Sequence, residues 1–97
     1  MKSVFIAYDQ AYHEQILSIL MGNNIRGYTS WEEVQGRGSK TGVPHLGTHA
    51  WPTLNSAMLT VIDDYKVEGF LNALKALDLT SERMGLRAFV WNIEAMI

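Results

Sequence analysis

Hydrophobic and polar positions along the chain change period several times, and each change marks an element. Residues 3–8 place Val4, Ile6 and Tyr8 on one face at a spacing of two, the signature of a strand. Asp9 then offers a helix cap. Tyr12, Ile16, Ile19 and Leu20 follow at helical spacing until Gly22, Asn23 and Asn24 stop the run. Residues 28–35 read as a second extended segment, and residues 57–63, AMLTVID, as a third and clearer one. Asp63 or Asp64 is placed to cap a second helix, whose stripe is Val67, Phe70, Leu71, Leu74 and Leu77. A polar connection over residues 78–85 leads to a last strand at residues 86–93. The predicted order is β-α-β-β-α-β, an α+β chain with the split βαβ arrangement of ferredoxin-like folds, in one domain spanning residues 1–97.

Alternation within the strands carries a second message. A four-stranded antiparallel sheet covered by two helices leaves its other face to water, and that face should be polar. Here Ala57, Leu59 and Val61 oppose Met58 and Ile62, while Leu86, Ala88 and Val90 oppose Phe89, Trp91 and Ile93. Both faces are apolar, and the chain has no spare element to cover the second. Another copy of the chain is the simplest cover, which predicts a homo-oligomer.

From Gly36 to about Asn55 the periodicity disappears. The stretch GRGSKTGVPHLGTHAWPTLN has four glycines and both prolines of the chain. A connection this long in a domain of 97 residues points to a functional loop. Gly36-Arg37-Gly38-Ser39-Lys40 has the glycines to let backbone N–H groups approach an anion and the cations to hold it, although glycines also serve simply to turn a loop. His45 and His49 lie four apart. Pro44 and Gly47 argue against a shared helical face, so a divalent metal would be held from a loop, with no third ligand in view; two solvated histidines are the plainer reading. Trp51-Pro52 is either an anchor that docks the loop or a partner-binding surface. His13 reads as a surface histidine.

Composition trims the functional classes. The net charge of −2 argues against a nucleic-acid partner. The absence of cysteine removes disulfides, thiolate catalysis and thiolate metal sites. MKSVFIAYDQ puts one lysine before a short apolar run that Asp9 ends, unlike a signal peptide, and no stretch approaches a membrane span; the expected location is the cytoplasm, without direct membrane insertion. No catalytic constellation stands out, so no enzymatic activity is expected.

With a ferredoxin-like order, an uncovered apolar face and one long loop between the second and third strands, the chain resembles the PII signalling proteins. Gly27-Tyr28-Thr29 through Glu33-Val34-Gln35-Gly36-Arg37-Gly38 looks like that family's second strand entering its T-loop. Val61-Ile62-Asp63-Asp64 looks like the end of its third strand, and Phe89-Val90-Trp91-Asn92-Ile93 like its last core strand. Ser39 and Lys40 stand where the family usually has arginine and glutamine, and of the phosphate-gripping B-loop only Gly85 and Arg87 have counterparts. The chain therefore looks like a divergent PII-like protein without the usual nucleotide-binding B-loop. The resemblance implies a cytoplasmic homotrimer in signal transduction. Its effector, a nucleotide or other small anion, would bind in intersubunit clefts near Gly36, Arg37, Gly38, Ser39, Lys40 and Arg87. Its target, a membrane transporter or an enzyme, would be controlled through the T-loop. The competing expectation is a divalent-metal-binding or metal-tolerance protein using His45 and His49.

Overall fold

The computed structural model describes residues 1–35, 54–80 and 85–97. Strand β1 (Lys2–Asp9) runs into a 3-10 turn at Gln10–Tyr12 and helix α1 (His13–Gly22). Strand β2 (Thr29–Val34) precedes β3 (Asn55–Ile62), and a second 3-10 turn at Asp64–Lys66 opens helix α2 (Val67–Asp78). Strand β4 (Arg87–Asn92) completes the domain. The sheet is antiparallel in the order β2-β3-β1-β4, the ferredoxin-like arrangement expected.

Strand alternation positions the core. Val4, Ile6 and Tyr8 of β1 lie beside Thr60, Met58 and Ser56 of β3, on the face that α1 and α2 cover. Ile16 and Leu20 of α1 and Phe70 and Leu74 of α2 fill the space above them, all but fully buried. The turn at Gly27 is held there too: the buried Thr60 hydroxyl donates to its carbonyl at 2.6 Å.

Several boundaries differ from expectation for identifiable reasons. Asp9 does cap, accepting a bond from the Ala11 N–H at 2.9 Å, but what it caps is the 3-10 turn, so Tyr12 falls outside α1. Asp63 holds the equivalent place before α2 without a side-chain capping bond. At the end of α1, Gly22 stays helical and Asn24 takes the left-handed conformation, φ 56°, a geometry asparagine tolerates. Strand β3 begins two residues earlier than the apolar run, because Asn55 pairs with both Asp9 and Val34.

The face away from the helices is apolar, as the alternation predicted. Across it, Leu59, Phe5 and Phe89 form one register row, and Val61, Ser3 and Trp91 the next. Trp31 of β2 joins them beside Ala57. Phe89, Trp91 and Trp31 are 57%, 48% and 45% exposed, large rings half in water.

Candidate functional site

Of the residues singled out for an effector, Arg87 is described. It opens β4 at the sheet edge, exposed, opposite Ala7, and its Nη1 donates to the Leu86 carbonyl at 2.8 Å. Gly36, Arg37, Gly38, Ser39 and Lys40 lie outside the described residues, as do His45, His49, Trp51 and Pro52. Their place of attachment is nevertheless defined. The chain leaves the sheet after Val34 and Gln35 and returns at Leu54, whose carbonyl accepts from the Gln10 N–H at 2.8 Å. Val34 and Asn55 are register partners, so the two stems of this segment stand side by side.

The strand order separates these elements. β2 and β4 are the two edges of the sheet, with β3 and β1 between them. Three strand spacings amount to about 14 Å, so Arg87 and the β2 stem sit on opposite margins of one subunit.

Beside the stems, on the helix side of the sheet, lies a polar pocket of about 460 Å³ lined by Gln10, His13, Ser30, Glu32, Glu33 and Ser56. Its floor is built at a register shift: β2 carries an extra residue between Trp31 and Val34 relative to β3. There the Glu32 carbonyl accepts two side-chain bonds, from the Ser56 hydroxyl at 2.7 Å and the Gln10 amide at 3.1 Å. Tyr8, wholly buried next to Ser56 in register, holds its hydroxyl 2.6 Å from His13 Nδ1, and the two rings stack with 5.9 Å between centroids. Burial pushes the Tyr8 phenol up to about 12; the adjacent Tyr28 acts in the same direction and the neighbouring Ser56 hydroxyl opposes it.

His13, read from the sequence as a surface histidine, is half-buried and a bonded member of this network. A signal was available in the sequence: Tyr8 points to the core face and needs a partner for its hydroxyl, and His13 follows at the start of the helix. Among the described residues no group of three or more His, Cys, Asp or Glu side chains is arranged to hold a metal. Among them, too, no helix is long and apolar enough to cross a membrane.

The fold and the open sheet face define a class, small ferredoxin-like domains that expose one side of the sheet. Solved structures narrow it. CPII, a nitrogen regulatory PII-like protein from Thiomonas intermedia K12, bound to ADP, AMP and bicarbonate, superposes with a TM-score of 0.78 at 18% identity, over 95% of this chain and 84% of CPII. Its apo form gives 0.72 at 16% identity, over 95% and 87%. A putative PII-like signalling protein from Thermus thermophilus gives 0.67 at 17% identity, over 95% and 85%. No family model and no curated protein sequence matches the chain. The chain has the fold of these PII-like proteins.

Proposed function

We propose that this chain is a PII-like regulatory protein, not an enzyme, which binds a small anionic effector at clefts between the subunits of a homotrimer. The observation that carries the reading is the separation of Arg87 from the β2 stem on opposite sheet edges. A ligand that needs both the loop base, residues 36–40, and Arg87 must be shared by two copies. Joining one copy's β2 margin to the next copy's β4 margin is a head-to-tail contact, which closes into a ring when the rotation between copies is one third of a turn.

The uncovered face supplies the driving force. Half-exposed Trp31, Phe89 and Trp91 present together about 300 Å² of ring surface. Removing that surface from water favours association, against the loss of freedom that assembly entails. The likeness of the fold to CPII, solved with ADP, AMP and bicarbonate, supports a nucleotide or small oxyanion as the effector. Backbone donors at Gly36 and Gly38, the Ser39 hydroxyl, and the charges of Arg37, Lys40 and Arg87 suit such a ligand. Effector binding at the stems then sets the state of the connecting segment, with Trp51 and Pro52, that a transporter or enzyme reads in the cytoplasm.

Calorimetric titration with ADP, AMP and bicarbonate tests the reading. Binding of one of them, lost in Lys40→Ala and in Arg87→Ala, is expected. Retention of binding in both variants, together with its loss in His45→Ala when zinc is the titrant, would replace the anion cleft by a metal site.

A further inference from the structure

The network beside the stems has a property that follows from counting its protons. Tyr8, His13, Ser56 and Glu32 come from four different elements, β1, α1, β3 and β2, and meet at one point. The oxygen of Tyr8 has one proton to give. In the tautomer protonated at Nε2, a neutral His13 imidazole receives it at Nδ1. The Ser56 hydroxyl gives its own proton to the Glu32 carbonyl. When His13 takes up one proton from solvent, Nδ1 becomes a donor and must give to the Tyr8 oxygen. The Tyr8 proton is then turned away from the ring, and Ser56 Oγ, its register neighbour on the same buried face, has a lone pair to receive it. No bond to a heavy atom is broken and the network gains one proton.

We propose that Tyr8, His13 and Ser56 form a reversible proton relay, through which protonation of His13 polarises the hydrogen bond that joins the β2 and β3 stems at Glu32. In the neutral state two separate bonds exist, Tyr8 to His13 and Ser56 to Glu32. In the charged state they fuse into one donor chain, His13 to Tyr8 to Ser56 to the Glu32 carbonyl, and bonds in such a chain reinforce one another. Protonation of His13 thereby draws together the stems that flank residues 36–53. The charged and titratable side chains around the relay are Glu32 and Glu33 on β2, Glu14 beside His13 on α1, Asp9 next to Tyr8 on β1, and Tyr28 ahead of β2. Glu14, Glu32 and Glu33 are exposed, and Asp9 is engaged by the Ala11 N–H. The relay needs no effector and does not depend on the function proposed above.

Nuclear magnetic resonance on the intact protein without added ligand tests it. The His13 ring nitrogens should show the Nε2–H tautomer at high pH. On acidification, the amide resonances of Glu33 and Ser56 should move with the same midpoint as the His13 ring. In Tyr8→Phe the ring should still titrate while the Ser56 amide loses that transition; in Ser56→Ala the Glu33 amide should lose it, which keeps the test open should either variant fold poorly. An Nδ1–H tautomer in the neutral state, or a transition at Ser56 and Glu33 that persists in Tyr8→Phe, overturns the relay.

Discussion

The indole of Trp31 rests against the ring of Phe5 with 6.5 Å between centroids and 49° between planes, although the two residues belong to strands that are not neighbours. β3 runs between them, and the contact passes over Ala57, the register partner of Trp31. A larger residue there would lift the indole off the sheet. Ala57 thus lets three strands share one continuous aromatic surface, which Phe89, the partner of Phe5, extends to the far edge.

That surface is the seat of the expected trimer. Phe89→Glu puts a charge on the β4 margin of this face and should yield monomers or unfolded chain where the parent gives a particle of three subunits by light scattering. An unchanged trimer in this variant, or a parent that is monomeric at micromolar concentration, contradicts assembly through the sheet.

Core packing gives a second expectation. Phe70 is fully buried between α2 and the sheet. Phe70→Ala should cost about 3–5 kcal/mol, read as a lower urea midpoint. A loss under ~1 kcal/mol would show that the α2 interface packs more loosely than described.

Alkaline pH should single out Tyr8. Its folded-state pKa of about 12 lies above the ordinary phenol value of 10.0. In the unfolded chain the phenol ionises first, so its contribution is fully present below pH 10 and is lost as the pH rises towards 12. The loss amounts to about 2–3 kcal/mol. Ultraviolet titration should find one of the four tyrosines ionising late. The stability difference between the parent and Tyr8→Phe should narrow over the same interval; a constant difference would mean that the phenol is not buried as described.

How much of this was legible in the chain depends on the range over which each signal acts. Strand and helix order came through because Val4, Ile6 and Tyr8, and Phe70, Leu71 and Leu74, repeat with the period of the element that holds them. The open face was legible for the same reason in β3 and β4. Trp31 was not, because the exposed β2 has no buried face to impose an alternation. The pairing of Tyr8 with His13 was legible only in part: the core-facing Tyr8 called for a hydroxyl partner, but tertiary geometry chooses which residue supplies it. Arg87 was singled out through the family resemblance, and the strand order places it on the margin opposite β2.

Effector binding should follow that separation. Arg87→Ala is expected to weaken the affinity for ADP by about tenfold or more, the loss of one charge-assisted contact, without moving the urea midpoint, since Arg87 is exposed. Mixing Arg87→Ala chains with Lys40→Ala chains should then restore a fraction of intact clefts, and calorimetry should recover part of the binding. No recovery on mixing would place both residues in one subunit's site.

The pairing of Val34 with Asn55 has a consequence for how the chain can change over time. Once these stems are fixed in the sheet, the entropy of closing the segment between them grows only with the logarithm of its length. Doubling it adds about 0.6 kcal/mol, less than one buried methylene contributes. Insertions and deletions over residues 36–53 are therefore almost free for the scaffold, while a one-residue slip of β3 would turn Met58 and Ile62 out of the core. Lineages carrying this domain can change the length and sequence of the chain between those two residues and leave the rest of the domain as it is.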